Sequence, residues 1–75
     1  MKIKPIYLFD ENDTVKIEKI LISEEHRETY AAFGLSENTK AVILWKSEKK
    51  IILRTGENKL ALSERAAEII FASLT

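Results

Sequence analysis

The only histidine of the chain is the first candidate for metal or acid–base chemistry. His26 lies beside Glu24 and Glu25, and these three residues form the one plausible metal cluster in the sequence. Neighbours one and two positions apart do not face each other on a helix, and a metal ion would need further ligands from elsewhere in the fold. The chain has no cysteine, so thiolate ligands and disulfides are excluded. We therefore expect a solvated helix face here and predict no metal site.

Hydroxyl and carboxylate side chains offer no better-organised catalytic group. A hydroxyl nucleophile needs a base within hydrogen-bond reach, and the serines share a single histidine. Ser23, Ser36 and Ser63 are explained by capping and turn roles. Asp10 and Asp13 lie in a predicted turn, and the sequence has no glycine-rich phosphate-binding loop. We predict that the protein is not an enzyme and has no catalytic residues and no cofactor.

Trp45 and the lysines that follow it are candidates for binding rather than catalysis. Lys46, Lys49 and Lys50 make a small basic loop, balanced by Glu48, which is typical of a solvated loop that protects a strand edge. Trp45 ends an apolar strand next to this loop. It either closes one end of a barrel as a mostly buried rim residue or anchors a partner, since tryptophan is enriched at binding hot spots.

Three short predicted strands hold these residues in place. Their apolar runs are 41–45, 51–53 and 59–62, and they are joined by a charged loop and by a turn that contains a glycine. Because a bare hairpin is marginal in water, the segments on either side must close over them. Residues 2–9 are predicted to be extended, and Pro5 places them in an edge strand or a strap. Residues 14–20 alternate between apolar and polar side chains, which predicts a half-buried strand.

Two helices and several turns complete the prediction. A helix is expected over residues 24–33, ending at Gly34 with a positive φ, and a second helix is expected after the cap at Ser63. Asn12 and Asn38 lie in turns and are predicted to adopt positive φ, since asparagine tolerates the left-handed region.

The composition limits the class of protein. The chain has 75 residues, with 12 basic and 12 acidic side chains and therefore no net charge. A single domain spanning residues 1–75 is expected, without the basic surface that nucleic acids require. No apolar run approaches the roughly 20 residues of a membrane span. We predict a cytoplasmic globular domain with no direct membrane insertion.

Five segments, taken in order, are similar to a known family. They are residues 5–12 with 15–17, residues 33–35, residues 38–43, residues 60–62, and Ala67 with Ile70. Their order and spacing resemble the FeoA-like family, the small SH3-like barrels associated with ferrous iron uptake in bacteria and archaea. The family usually has glycine where Asn12 and Asn38 stand, and an arginine–leucine cluster where this helix has Arg27, Thr29 and Tyr30.

The resemblance implies both a fold and a function. The fold is a mainly β, small SH3-like barrel with an inserted α-helix and a short C-terminal helix. The function is that of a non-enzymatic accessory protein of ferrous iron transport, acting by contact with the cytosolic GTPase portion of a FeoB-type transporter. The alternative is a stand-alone SH3-like regulatory module of the kind found at the C-terminus of metal-dependent repressors. A small metal-binding enzyme is a third class, which the residue inventory disfavours.

The first of the three strands predicts an apolar outer face. Residues 41–45 are apolar on both faces, whereas a solvated strand should alternate. By the family pattern, residues 41, 43, 51 and 53 point inward. The residues left outside, Val42, Leu44 and Ile52, are candidates for a partner surface or a self-association surface, and Trp45 is a candidate partner-binding residue beside them. The other expectation is a cover from within the chain, either from the N-terminal segment through Ile3, Ile6 or Leu8, or from the C-terminal helix through Phe71 and Leu74.

Overall fold

The strands form where apolar side chains alternate with polar ones. In the computed structural model, which describes residues 2–75, the second strand buries Val15, Ile17 and Ile20 and leaves the residues between them partly or fully exposed. The elements in chain order are β1 (Lys4–Pro5), a 3₁₀ helix (Ile6–Leu8), β2 (Thr14–Ile20), α1 (Glu24–Ala32), β3 (Lys40–Lys46), β4 (Lys50–Thr55), β5 (Asn58–Ser63), α2 (Glu64–Ile69) and β6 (Ile70–Leu74).

All six strands belong to one antiparallel sheet. Their spatial order is β1-β6-β2-β3-β4-β5, so β1 and β5 are the two edges. The sheet curls around the core without pairing its edges, and α2 packs across the opening against the 3₁₀ helix, β1 and β5. The expected SH3-like architecture with one inserted helix is confirmed, and the short second helix is present, although a strand follows it. None of the helices within residues 2–75 is long and apolar enough to cross a membrane.

The core is built from the inward faces of the strands and the start of the chain. Phe9 and Ile6 contribute large buried side chains from outside the long strands, and Leu35 contributes one from the loop after α1. The other buried apolar residues are Val15, Ile17, Ile20, Ala41, Ile43, Ile51, Leu53, Leu62, Ala67, Ile70 and Ala72.

The end of α1 has the geometry predicted from the glycine. Gly34 has a φ of 85°, its N–H donates to Ala31 O, and the Leu35 N–H donates to Tyr30 O, both at 2.9 Å. These two bonds define a Schellman cap, and the accompanying apolar residue, Leu35, is buried. The Thr55 hydroxyl lies over the glycine and donates to Phe33 O at 3.1 Å. A Cβ on Gly34 would lie 2.7 Å from the Thr55 Oγ1, so the position excludes larger residues.

The two asparagines adopt the predicted left-handed conformation and fasten their turns to the sheet. Asn12 has a φ of 73° and Asn38 a φ of 71°. The Asn12 N–H donates to Ile43 O at 2.6 Å, and the Asn38 N–H donates to Ile17 O at 2.7 Å. Asparagine therefore does here what glycine does elsewhere.

Two predictions about the chain ends are wrong. The N-terminal segment is extended only over Lys4–Pro5 and then turns into a 3₁₀ helix, although β1 is an edge strand as expected. The C-terminal helix stops at Ile69, and the residues after it form β6 between β1 and β2. Pairing on both sides supplies hydrogen bonds that a short terminal helix cannot match, so tertiary context overrides the local helical pattern.

The two helices differ in how they are capped and packed. The Ser63 hydroxyl accepts from the Ala66 N–H at 3.3 Å, as predicted for a cap. Ser23 occupies the capping position of α1, but its hydroxyl pairs with the His26 Nδ1 at 3.0 Å instead of with a backbone N–H. Helix α1 has no fully buried side chain, and half-buried Tyr30 packs against the core.

Candidate interaction surface

The inner and outer faces of β3 and β4 separate as the sequence predicts. Ala41, Ile43, Ile51 and Leu53 are all buried. The half-buried residues between them are Val42, Leu44 and Ile52. An apolar outer face is thus a property of this hairpin, and we call Val42, Leu44, Trp45 and Ile52 the outer patch.

A bulge in β3 brings Trp45 into the outer patch. Ile43 pairs with Leu53, but the next pair is Trp45 with Ile52, so Leu44 is an additional residue in β3. Directly paired residues in an antiparallel sheet share a face. Trp45 therefore lies beside Ile52 on the outside, whereas the uninterrupted alternation of a regular strand would have placed it inside.

Trp45 is exposed instead of closing the barrel. Its side chain is 42% accessible, so the expectation of a mostly buried rim residue is wrong. The Lys50 Nζ lies 5.9 Å from the centre of the indole ring, within the range of a cation–π contact. Its role as a partner anchor remains a prediction.

The segments expected to cover the outer patch lie elsewhere. Ile6 is inside the core, and the 3₁₀ helix packs against α2 and β6. Phe71 lies in β6 opposite Lys19, and β2 separates that strand from β3. The remaining candidates for a cover, Ile3, Leu8 and Leu74, are exposed. None of these segments spans the β3–β4 hairpin, and in the isolated chain Trp45 is exposed while Val42, Leu44 and Ile52 are half-buried.

The other candidate residues have structural partners. The Asp10 N–H donates to Asp13 Oδ2 at 2.9 Å, which closes the turn. Lys46 is not a free cation of a solvated loop, because its Nζ donates to Phe9 O at 2.8 Å and its N–H donates to Glu11 Oε1 at 3.2 Å. Glu24, Glu25 and His26 are exposed on α1, and over residues 2–75 no three acidic or histidine side chains group to hold a metal ion.

A groove near the start of the chain was not anticipated. It has a volume of about 410 Å³ and lies between the 3₁₀ helix, α2 and the β3–β4 loop. Tyr7 and Leu8 form its exposed apolar wall, and Ala67 lies at the back. Its polar lining mixes both charges: Lys46, Lys50, Glu48, Glu64 and Glu68. The groove could not be anticipated from the sequence, because residues 6–8, which form one of its walls, were expected to be extended and not helical.

Comparison by sequence finds no matching protein-family model and no matching curated protein. Comparison of structures finds close likeness. The crystal structure of an iron uptake regulatory protein, FeoA, superposes with a TM-score of 0.84 over 100% of both chains at 19% identity. A FeoA-like protein from Clostridium acetobutylicum superposes with a TM-score of 0.81 over 99% of this chain and 88% of its own, at 21% identity. A manganese-dependent transcriptional repressor superposes with a TM-score of 0.85 at 17% identity.

These likenesses establish the fold. The chain has the SH3-like fold of FeoA, as the resemblance in its sequence predicted. The superposition on the repressor covers 97% of this chain but only 42% of the repressor, so this chain is similar to one part of a longer protein.

Proposed function

We propose that this protein is a non-enzymatic cytoplasmic accessory protein of ferrous iron transport that binds the cytosolic GTPase portion of a FeoB-type transporter. The observation that carries the proposal is the outer patch, in which exposed Trp45 lies among half-buried apolar side chains, on a chain whose fold matches FeoA from end to end. Small monomeric proteins rarely leave a contiguous apolar face without a partner. Binding, and not chemistry, is what this surface can do.

Trp45 is the anchor that the geometry supports. An aromatic side chain buries 150–250 Å² when fully covered, about the largest gain any single residue offers. Half-buried Ile52 lies directly opposite Trp45 in the pairing, so the indole already has an apolar neighbour on this face. A partner residue that covers the other side would complete a small dry centre, the arrangement typical of hot spots.

Calorimetry with the cytosolic domain of the FeoB-type transporter from the same genome tests the proposal. We expect a single site on the wild-type protein. Leu44→Lys should keep the fold, since Leu44 is only half-buried at a bulge, and should lose binding because a charge then enters the apolar centre. A collapse of the melting temperature would assign Leu44 to the core, and the absence of wild-type binding would overturn the proposal.

A second candidate function is a regulatory module that works with a metal-dependent repressor. It is favoured by one observation, the equally close superposition on part of a manganese-dependent repressor. A pull-down from the native cell separates the two candidates. Retention of a DNA-binding repressor chain in place of the transporter supports this second function.

A further inference from the structure

The outer face of the sheet carries like charges in directly opposed positions. Lys16 of β2 pairs with Lys40 of β3, and Arg54 of β4 pairs with Lys59 of β5. Like charges opposite each other destabilise a sheet, and the usual choice at such positions is an opposite-charge or neutral pair. Two such pairs on one face of a small domain therefore oppose folding. Stability does not explain them, whereas the binding of a negatively charged partner would.

Among the described residues, only one of these cations, Lys16, has a carboxylate near it that reduces the repulsion. Glu18 of β2 lies 4.0 Å from the Lys16 Nζ and accepts a hydrogen bond from buried Ser73. Within residues 2–75 the only other ion pair is Arg27 with Glu37, on the far side of α1. The side chains of Lys40, Lys50, Arg54 and Lys59 are exposed, and none of them has a carboxylate within 4.0 Å in the described chain.

The cations surround the outer patch. Arg54 pairs with Val42, and Lys50 lies over Trp45. Lys40 lies two positions before Val42 on the same face, and Lys59 continues the row onto the edge strand β5. Neighbouring strands are about 4.8 Å apart, so one short peptide segment can reach both the outer patch and the cations around it. The chain as a whole is neutral, yet four exposed cations lie around the outer patch.

We infer that the outer face of β3–β5 is a docking site for an acidic segment of a partner protein that carries an apolar side chain among its carboxylates. The apolar side chain covers Trp45 and Ile52, and the carboxylates pair with the surrounding lysines and Arg54. The inference deepens the proposed function by naming the chemistry of the partner, and it rests on that function only in taking the occupant to be a protein.

The charge pattern favours such a segment over a nucleic acid or an anionic membrane. A polyanion needs an extended basic surface, whereas the centre of this face is apolar and has one aromatic side chain rather than a row of them. The turns that bound the face carry Glu48 and Glu57, which repel a long polyanion but not a short segment between them.

Titration of the isotope-labelled full chain by NMR tests the inference directly. The probe is a synthetic peptide, Glu-Asp-Leu-Phe-Asp-Glu, and its matched control carries lysine in place of each acidic residue. We expect the acidic peptide alone to shift the Trp45 indole and the amides of β3 and β4, with an affinity that falls as salt is added. Shifts from both peptides alike, shifts confined to other elements, or none from the acidic peptide would overturn the inference.

A charge reversal at Arg54 separates a role in binding from a role in stability, because the two predict opposite effects on affinity and on melting temperature. Arg54→Glu replaces the repulsive pair with Lys59 by an attractive one, so the melting temperature should stay level or rise. The same variant should weaken acidic-peptide binding by about tenfold, as charge-pair losses at interfaces do. Arg65→Glu is the matched control, because Arg65 is an exposed arginine on α2 and belongs to none of the three strands of this face, and it should leave binding unchanged. Equal weakening by both variants would contradict the inference.

The remaining arms separate this inference from its alternatives. A poly-dT oligonucleotide that shifts the same resonances as tightly as the acidic peptide would identify a polyanion site instead. Salt-sensitive self-association of the wild type, abolished by Arg54→Glu, would make a second copy the occupant and overturn the assignment to another protein. Peptide binding without binding of the transporter domain would refute the proposed function and leave the inference standing, whereas transporter binding that is insensitive to Arg54→Glu would do the reverse.

Discussion

Gly34 is the residue at which backbone conformation and packing are most tightly linked. Its positive φ alone costs a substituted residue about 1 kcal/mol. A Cβ would also displace the buried Thr55 hydroxyl, and the lost bond to Phe33 O adds about 1–3 kcal/mol. We therefore expect Gly34→Ala to lower the free energy of unfolding by about 2 kcal/mol or more.

Gly56 is the matched control for that substitution. It also has a positive φ, but no atom lies within 4 Å of the position a Cβ would take. Gly56→Ala should therefore cost only about 1 kcal/mol. Denaturant melts of both variants compare the two directly, and equal costs would show that Thr55 does not constrain Gly34.

At the residue scale, the sequence predicts backbone conformation better than side-chain partners. Asparagine and glycine identities limit φ, so Asn12, Asn38 and Gly34 were predictable. The partner of a hydroxyl or an ammonium group depends on what the fold brings near it. The bonds from Ser23 to His26 and from Lys46 to Phe9 O could not be predicted for that reason.

At the scale of elements, the two helix caps give a paired prediction. The Ser63 hydroxyl bonds a backbone N–H of α2, so Ser63→Ala should cost about 1 kcal/mol. Ser23 makes no such bond, and Ser23→Ala should cost clearly less. Thermal melts of the two variants test this, and a larger loss for Ser23→Ala would mean that its bond to His26 stabilises α1 more than a cap does.

Strand β6 gives the strongest prediction among the elements. It lies between β1 and β2 and supplies buried Ile70 and Ala72, so a chain that ends after Ile69 should not fold cooperatively. Removal of exposed Thr75 alone is the control; it removes only the two bonds that Thr75 donates to Thr14 O and should lower the melting temperature only slightly. Circular dichroism and melts compare the two truncations, and a folded shorter chain would refute the role given to β6.

The sequence predicted β2 to β5 because their apolar residues alternate or cluster between clear turn residues. It did not predict β6, since Ala66, Ala67, Ile69 and Ile70 have the spacing of a helix and the strand begins within that pattern. The bulge at Leu44 was equally hidden, because it arises from pairing and not from any local residue preference. The bulge turns Trp45 to the outer face, whereas a regular strand would have placed it inside.

At the scale of the whole molecule, net charge conceals how charge is distributed. Equal numbers of basic and acidic side chains suggested no electrostatic surface, yet pairing places four exposed cations around the outer patch. Register decides which side chains share a face, and one sequence does not fix register across a bulge. The outward positions of Val42, Leu44 and Ile52 were predictable, whereas the outward turn of Trp45 at the bulge and the cationic surroundings of the patch were not.

Metal binding is a separate prediction at this scale. Because the chain has no cysteine and one histidine, we expect no tight ferrous iron site in the isolated protein. Anaerobic calorimetry with ferrous iron should show no stoichiometric site of about micromolar affinity. A stoichiometric site would replace an accessory role by a sensor role.

In the proposed function, the outer patch around Trp45 is the surface that binds the partner. The most direct test compares Trp45→Ala with Phe33→Ala in calorimetry with the cytosolic domain of the FeoB-type transporter. Phe33 is the control because it is also an exposed aromatic residue, 52% accessible against 42% for Trp45, and it lies at the end of α1. We expect Trp45→Ala to weaken binding by about 2 kcal/mol or more and Phe33→Ala to leave it unchanged, with both variants folded. Wild-type affinity in Trp45→Ala, or a larger loss in Phe33→Ala, would contradict the claim.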